Sequence, residues 1–200
     1  ENVAAARASL REATGGDIDV TYVPSWFDHP LFVEANARHA RAAVTRLPAD
    51  LRGAARLIFT AHSIPVPMAE SSLYREQLLA SAGRVASAAG IADWTLVYQS
   101  RSGRPGDPWL EPDVRDYLRQ ARASGLQAAV LSPIGFVCDH IEVRYDLDHE
   151  AAEVCHEIGL PMVRAEAAND DPLFLDMMAD MTLRTIARYE RGRPLPVVAR

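Results

Sequence analysis

The sequence has little cysteine and no long hydrophobic run, and both shortages narrow the classes of protein it can be. Its 200 residues contain two cysteines, Cys138 and Cys155, without a C-x-x-C spacing. This usage provides no disulfide framework and is typical of a reducing compartment, so we expect a cytoplasmic location. No apolar run approaches the roughly 18–20 residues that span a bilayer. The N-terminus does not resemble a signal peptide.

Positive charge is also in short supply. The sequence has 21 Lys and Arg residues against 27 Asp and Glu residues, a net charge of −6, and no basic cluster. A nucleic-acid-binding surface is therefore excluded, because such surfaces need concentrated Lys and Arg. Small molecules or metal ions are the expected partners.

Apolar residues are plentiful. They make up 48% of the sequence, which is enough to bury a core, and the length allows one large or two small domains. The chain begins at Glu1, without a methionine and already in a helical pattern. We therefore expect it to be part of a longer protein.

Helix and strand patterns alternate along the chain. Helices are predicted over residues 2–14, 28–47, 73–89, 113–124, 139–158 and 172–189, and strands over 18–23, 57–59, 94–98, 127–131 and 162–165. This alternation predicts an α/β fold with a doubly wound parallel sheet. Ligands bind at the carboxyl ends of such strands. Here the loops at those ends are 60–70, 99–112 and 132–139. The prolines at 65 and 67 predict that loop 60–70 contains neither a helix nor sheet pairing.

Two groups of side chains near the strand ends could carry chemistry. His62 follows an apolar strand directly, so its imidazole could accept a proton or bind a metal near neutral pH, or could simply cap the loop backbone. Glu142, Asp146 and Glu150 are spaced by four and share one helix face, each about 40° from the last. They form either a solvated acidic face or a ladder of metal-compatible ligands. Asp139, just before them, is a candidate N-cap.

The remaining candidates are interpreted as structural. Both cysteines are expected to be core thiols. The apolar stripe of the acidic helix and the methionines of the last helix are expected to pack in the interior; these residues are Leu147, Ala151, Val154, Cys155 and Ile158, and Met177, Met178 and Met181. No closed zinc pattern and no phosphate-binding loop occurs in the sequence.

Four separated motifs, in order along the chain, together resemble the ferrochelatases. They are residues 60–65 (Thr-Ala-His-Ser-Ile-Pro), 98–101 (Tyr-Gln-Ser-Arg), 107–114 (Asp-Pro-Trp-Leu-Glu-Pro-Asp-Val) and 133–143 (Pro-Ile-Gly-Phe-Val-Cys-Asp-His-Ile-Glu-Val). The resemblance covers nearly the whole chain, which would correspond to the C-terminal two-thirds of such an enzyme.

The resemblance implies a chelatase-like fold of two Rossmann-like domains with a porphyrin cleft between them. The first domain would be incomplete here, with residues 1–50 as its C-terminal part. Residues 51–165 would form the second domain. Residues 166–200 would form a C-terminal helix that packs back on the first domain.

The resemblance also implies an activity, the insertion of ferrous iron into a porphyrin in haem biosynthesis. This is a lyase reaction that forms nitrogen–metal bonds and needs no organic cofactor. His62 matches the family's catalytic histidine, which acts as a base, a metal ligand or both, and Glu142 matches its essential carboxylate. Asp146 and Glu150 match the acidic row behind that glutamate, on a locally widened helix. All four are expected to bind the metal.

Two further residues lie in motifs close to the implied cleft. Ser100 and Trp109 are expected to bind the substrate, and Trp109 offers an aromatic wall for a tetrapyrrole. The alternative is a turn serine and a tryptophan that packs its own loop.

The motif at residues 133–143 resembles the Gram-positive branch of the family, which implies coproporphyrin III as the substrate. The alternatives are a protoporphyrin IX ferrochelatase, a cobalt or nickel chelatase, and a non-catalytic tetrapyrrole or metal carrier. The implied partners are the porphyrin, ferrous iron and other proteins of the haem pathway. An iron–sulfur cluster would need cysteines outside this chain.

Overall fold

The structure, a computed structural model, describes residues 2–15, 21–104 and 106–191. The chain divides into two compact units. One comprises Trp26–Met177 and contains every candidate site residue. The other comprises the described residues of Glu1–Ser25 and Met178–Ala199, which include helix α1 (Asn2–Thr14) and most of helix α8 (Pro172–Glu190).

The larger unit is built on a sheet of four parallel strands among the described residues. They are β1 (Ala55–His62), β2 (Trp94–Gln99), β3 (Ala128–Ser132) and β4 (Met162–Arg164), and their spatial order is β2-β1-β3-β4. In β1, His62 lies opposite Gln99 of β2, and Phe59 lies opposite Ser132 of β3. The predicted parallel α/β sheet is confirmed.

Helices cover both faces of this sheet, as a doubly wound fold requires. α2 (Pro30–Thr45) and α4 (Tyr74–Ala89) pack on one face, and α5 (Val114–Ala123) lies on the other. The other described helices of this unit are α3 (Val66–Glu70), α6 (Ile141–Val143) and α7 (Ala152–Glu157), with a π-helical segment, Arg144–Ala151, joining α6 to α7. A short 3₁₀ helix, Arg52–Ala54, precedes β1. The chain passes from β1 through α4 to β2, and from β2 through α5 to β3. In the sheet, β1 lies between β2 and β3.

Alternate residues of the central strands fill two separate cores. On one face Ile58, Val97 and Leu131 pack with α5 and with the apolar side of residues 143–160. On the other face Phe59 meets Trp94 edge to face, with ring centroids 5.9 Å apart, and Trp94 lies against Gly83 of α4. Each fully buried side chain of this size contributes about 1.5–3 kcal/mol, so both faces stabilise the sheet.

The structure also tests the predicted elements individually. The helices begin and end within about two residues of the predicted bounds, apart from the interruption of the acidic helix. Part of the strand predicted at 18–23 lies outside the described residues, and residues 21–23 are irregular. No helix within the described ranges is long and apolar enough to cross a membrane.

The prediction for Pro65 and Pro67 was wrong. Helix α3 begins at Val66, with Pro65 as its N-cap and Pro67 in its first turn. The first amides of a helix have no intrahelical partner, so proline costs nothing there. Pro65 also forms an isolated antiparallel bridge with Trp109, which ties loop 60–70 to loop 99–112.

A candidate functional site at the carboxyl edge of the sheet

The strand order creates a topological switch point between β1 and β3. The chain leaves β1 towards β2 on one side of the sheet and later returns to β3 on the other. In open α/β sheets such a point is where strand-end loops diverge and leave a crevice for a ligand. His62 is the last residue of β1, and the motif 133–143 follows β3 directly. The candidate site therefore lies at this edge.

Gly135 brings the motif after β3 onto the end of β1. Its amide donates to the carbonyl of Thr60 at 3.0 Å. A Cβ atom at this position would lie 2.5 Å from the Cβ of Ala61, so only glycine fits here. The turn carries Phe136 beside His62, with ring centroids 6.5 Å apart, and the ring of His140 meets Phe136 at 5.3 Å.

His62 is held by its own strand end and by α4. Its Nδ1 lies 2.5 Å from the carbonyl oxygen of Ser63. Since a carbonyl only accepts, Nδ1 must carry the hydrogen, and Nε2 of the neutral ring keeps its lone pair. The hydroxyl of Tyr74 donates to the carbonyl of His62 at 2.9 Å. Burial raises the pKa of Tyr74 to about 12, so this hydroxyl stays a donor through the neutral range.

The helix that carries the acidic residues is locally widened, as the resemblance implies. Its N-cap is His140, whose Nδ1 accepts from the amide of Glu142 at 3.2 Å. The segment Arg144–Ala151 is then π-helical. An i→i+5 helix has more than four residues per turn, so residues four apart are no longer offset by the 40° of an α-helix. The predicted 40° steps between Glu142, Asp146 and Glu150 therefore do not hold along this segment.

This row faces the end of β2 and the start of α5. Asp146 Oδ2 accepts from Ser100 Oγ, and from Gln99 Nε2 at 3.2 Å. Glu150 pairs with Arg115 at 3.1 Å. Glu142 is exposed, and its carboxylate has no hydrogen bond or ion pair with any described residue. Asp146 and Glu150 therefore lie against the protein, and Glu142 alone of the three projects freely.

Asp139 is not an N-cap, so that prediction was wrong. Its carboxylate accepts from Arg164, from the amide of Ala167 and from the side chain of Asn169, at 2.8, 3.2 and 3.0 Å. The cap is the next residue, His140. Asp139 instead joins the start of the helix to the segment after β4.

Ser100 and Trp109 occupy different surroundings in the loop after β2. Ser100 has a positive φ of 60° and contacts Asp146, so it belongs to the acidic row. Trp109 packs its indole on Gly103, where a Cβ would lie 2.0 Å from Nε1. The indole N–H is buried and has no acceptor among the described groups. The structure thus brings Ser100 to the site and packs Trp109 on its own loop.

A small cavity of about 190 Å³ lies beside this loop. It is lined by Ser63, Tyr98, Arg101, Leu110, Glu111, Pro112, Asp113 and Asp116. Pockets for drug-sized ligands measure about 300–1,000 Å³, so a tetrapyrrole does not fit inside it. Burial raises the pKa of Tyr98 at its edge.

The four residues expected to bind metal do not form one cluster. Within the described part of the chain, no three His, Cys, Asp or Glu side chains are grouped to hold a metal ion. His62 and the motif 133–143 meet at the switch point, whereas Asp146 and Glu150 are engaged by Ser100, Gln99 and Arg115. The metal roles of these residues stay predictions.

The cysteines and methionines divide between core and surface. Cys155 is buried, as expected, and burial raises its pKa to about 11. Cys138 is exposed, so its assignment to the core was wrong. Met177 is buried, but Met178 is 49% exposed, which contradicts its predicted packing role.

Sequence reasoning missed Gln99 and Tyr74 as members of the site. Gln99 is fully buried beside Asp146, and its Oε1 has no partner among the described groups. Its position in the motif 98–101, at the end of a strand, was a usable signal. Tyr74 gave no signal, because its contact with His62 depends on how α4 returns across the sheet.

Comparisons with known protein sequences indicate one family. The family model described as Ferrochelatase matches residues 2–186. The chain is 43% identical over 189 residues to the coproporphyrin III ferrochelatase of Nocardia farcinica, covering 90% of this chain and 53% of the relative. The protein of the same name from Mycobacterium avium is 44% identical, and the match covers 98% of this chain and 59% of the relative. A Rhodopirellula baltica protein named ferrochelatase is 43% identical, and the match covers 94% of this chain and 53% of the relative. The chain therefore spans about half the length of these curated relatives.

Two solved structures are also similar. A cobalamin biosynthesis CbiX protein from Marinobacter aquaeolei aligns with a TM-score of 0.46 at 16% identity, over 70% of this chain and 98% of that one. A multi-domain protein from Deinococcus radiodurans, described as similar to chelatases, aligns with a TM-score of 0.48 at 17% identity, over 78% of this chain and 29% of that one.

Proposed function

The chain belongs to the ferrochelatase family, and on that premise we propose that the whole protein inserts ferrous iron into a porphyrin. The curated relatives carry this activity in their names, and the chain spans about half of their length. The activity is therefore proposed for the protein to which this chain belongs.

One observation carries the proposal, namely the row of carboxylates that begins on α6 and continues on the π-helical segment, beside the carboxyl edge of the sheet. A wholly solvated acidic surface would not engage a buried amide such as that of Gln99. Here Asp146 is hydrogen-bonded at the end of β2 and Glu150 is paired with α5. Hard oxygen ligands in a row that ends at the free carboxylate of Glu142 suit the stepwise transfer of a divalent cation.

The chemistry requires two proton losses for each metal inserted. Two pyrrole N–H bonds break, two protons leave, and the nitrogen lone pairs bind the Fe²⁺ ion, so the charge of the metal is balanced. His62 suits the removal of the pyrrole protons, because the neutral ring keeps its Nε2 lone pair while Nδ1 donates to Ser63. Glu142 suits the delivery of the Fe²⁺ ion, because its exposed carboxylate lies on the segment that follows β3 at the switch point. Whether His62 also binds the metal stays a prediction.

Coproporphyrin III is the proposed substrate. The Nocardia and Mycobacterium relatives bear that substrate in their names, whereas the Rhodopirellula relative does not specify a porphyrin. Protoporphyrin IX, a cobalt or nickel chelatase, and a non-catalytic carrier are the alternatives. A carrier is disfavoured because binding alone needs no proton acceptor such as His62. The domain limits, the cytoplasmic location and haem-pathway protein partners stay predictions, as does the expectation that an iron–sulfur cluster would need cysteines outside this chain.

The decisive experiment is anaerobic metallation by the whole protein. Ferrous iron is added to coproporphyrin III and, separately, to protoporphyrin IX, and the visible spectrum is followed. We expect conversion to the metalloporphyrin, faster for coproporphyrin III, and a loss of at least about 100-fold in His62→Ala, since general acid–base catalysis contributes about 10²–10⁴-fold.

The matched control is His156→Ala, which removes an exposed histidine on α7. It should metallate like the wild type. Binding of the porphyrin without any conversion would favour the carrier, and turnover with cobalt or nickel but not iron would favour the other chelatases. Full activity in His62→Ala would remove that residue from the mechanism.

A further inference from the structure

Arg164, the last residue of β4, spans two carboxylates that flank the start of the π-helical segment. Its Nη1 donates to Asp139 at 2.8 Å, and its Nε and Nη2 donate to the two oxygens of Asp148 at 2.5 and 3.0 Å. Asp139 precedes the helix and Asp148 lies within its π-helical part. One guanidinium therefore connects the sheet to both ends of the stretch that includes Glu142 and Asp146.

The Arg164–Asp139 part of this connection is buried, and the Asp139 carboxylate is fully hydrogen-bonded. The side chains of Arg164 and Asp139 are only 15% and 10% exposed. Besides Arg164, the Asp139 carboxylate binds the amide of Ala167 and the side chain of Asn169, and the Asp139 amide donates to Asn169 at 2.9 Å. Buried charges are tolerated only when they are paired and hydrogen-bonded in this way.

Asn169 fixes the same junction through its backbone. It adopts a positive φ of 47°, and its amide donates to the carbonyl of Val137 at 2.9 Å. The backbone carbonyl of Asp139 in turn accepts from Arg144 at 3.1 Å. Residues 137–144 are thus tied to the strand β4 and to the segment after it.

A π-helical register needs such support, because its turns are wider than those of an α-helix and occur mostly as single turns at functional sites. The bidentate contact holds Asp148 at a defined height relative to the sheet. Burial lowers the pKa of Arg164, but the hydrogen bond to Asp148 and the charge of Asp139 more than offset this, so the net shift is upward and the cation is retained.

We propose that Arg164 is a positioning residue, which holds the π-helical segment in register through Asp139 and Asp148 and thereby sets where Glu142 stands relative to His62. It touches neither substrate in this role. The part of this inference that concerns turnover rests on the proposed function, whereas the part that concerns the segment's register does not.

The test uses Arg164→Gln and Arg164→Lys in the whole protein. Lysine keeps the charge but cannot make the two-pronged contact with Asp148 while reaching Asp139, so both variants should behave alike. We expect kcat to fall by about 10- to 100-fold, as a displacement of roughly 1 Å at a reacting group does, while the KM for coproporphyrin III stays within about twofold.

Hydrogen exchange provides the readout that does not depend on turnover. In both variants the amides of residues 141–151 should lose at least about tenfold in protection, while those of β1 and β3 keep theirs, since local segments open independently of the core. Asp148→Asn is a milder variant, because the Asp148 side chain is 42% exposed. It should show the same loss of protection in residues 141–151, but a smaller one.

Arg56→Gln is the matched control. Arg56 also lies near the end of a strand and pairs with one carboxylate, Asp93, at 2.7 Å, in a more exposed position at the opposite end of β1 from His62. It should leave exchange in residues 141–151 and kcat unchanged. Wild-type exchange in Arg164→Gln, or wild-type kcat despite a loosened segment, would overturn the inference. A wild-type protein that metallates no porphyrin would contradict the proposed function instead, and exchange would still decide whether Arg164 holds the segment.

Discussion

At the scale of single residues, Gly135 decides where the motif after β3 lies. The backbone of Ala61 occupies the space that a side chain would need, with its Cα 2.7 Å from the position of a Cβ. Backbone atoms of a central strand cannot move aside as a flexible side chain can. The contact that brings Phe136 and His140 to His62 therefore depends on the absence of one methyl group.

Replacing Gly135 with alanine should destabilise the protein by about 1–3 kcal/mol, as overpacking in a well-packed core does. The displaced turn should also lower metallation by the whole protein. Urea denaturation measures the first effect. Gly53→Ala is the control, because a Cβ there meets nothing within 4 Å, and its free energy of unfolding should change by less than about 0.5 kcal/mol. Equal stability of both variants would show that the turn can shift.

The two cysteines provide a second test at this scale. Cys155 is buried and its pKa is raised to about 11, so near pH 8 it is a neutral and inaccessible thiol. Cys138 is exposed. Titration of the native chain with an aromatic disulfide at pH 8 should therefore modify one thiol quickly and the second only after unfolding.

Single variants identify the reactive thiol. Cys138→Ser should remove the fast phase, and Cys155→Ala should leave it intact. A fast phase that disappears in Cys155→Ala would mean that this helix opens readily in the native state.

At the scale of elements, α5 supports the outer end of the acidic row. Asp113 is its N-cap and accepts from the amide of Arg115 at 2.9 Å. The same carboxylate contacts the guanidinium of Arg115, which pairs with Glu150. The hydrogen bond to Asp113 raises the pKa of Arg115 even though partial burial opposes this. The N-cap of α5, Asp113, thus holds the guanidinium of Arg115 in place for its ion pair with Glu150.

Asp113→Ala should lower the free energy of unfolding by about 0.5–2 kcal/mol, the usual cost of losing an N-cap. Asp116→Ala is the control in the same helix, since that carboxylate is 81% exposed and its ion pair among the described residues is a long one, with Arg119 at 3.7 Å. Its effect should stay within about 0.5 kcal/mol, as for most exposed positions. Thermal or urea unfolding compares the two. Identical losses would mean that charge near the helix start, rather than the cap, is responsible.

At the scale of the whole molecule, the candidate site residues of the larger unit lie along one side of the proposed substrate cleft, at the carboxyl edge of the sheet. The described candidates are His62, Glu142 and the acidic row, and the adjoining cavity is too small for a tetrapyrrole. The curated relatives are about twice as long as the matched region. A macrocycle needs surfaces on both of its faces to exclude water and to bend.

We therefore expect the 200-residue chain by itself to fold but to convert no porphyrin, whereas the whole protein converts it. Circular dichroism and cooperative unfolding test the first part, and anaerobic metallation tests the second. Mixing the chain with the remainder of the protein is the informative control. Turnover by the 200-residue chain at the rate of the whole protein would show that one side of the cleft suffices.

The order and type of the elements were determined by the sequence itself. Local patterns of apolar residues and glycine stops depend on neighbours a few positions away, so they predicted the four described strands and most of the helices. They missed α3, which the prolines at 65 and 67 were expected to exclude. The motif spacings likewise identified the family, because the chemistry of a site constrains residue types within short stretches. The apolar stripe with Leu147 and Cys155 faced the core as its period predicts.

Only the tertiary structure decided which of these stretches meet. Ser100 and Asp146 are 46 positions apart, and Arg164 reaches Asp139 from 25 positions away, so neither contact follows from local pattern. The strand order places β1 between β2 and β3, and this order puts the switch point between the ends of β1 and β3, where His62 meets the motif 133–143. The exposure of Cys138 and the cap at His140 instead of Asp139 arise in the same way, because burial and hydrogen bonding depend on the segments that fold back against a residue.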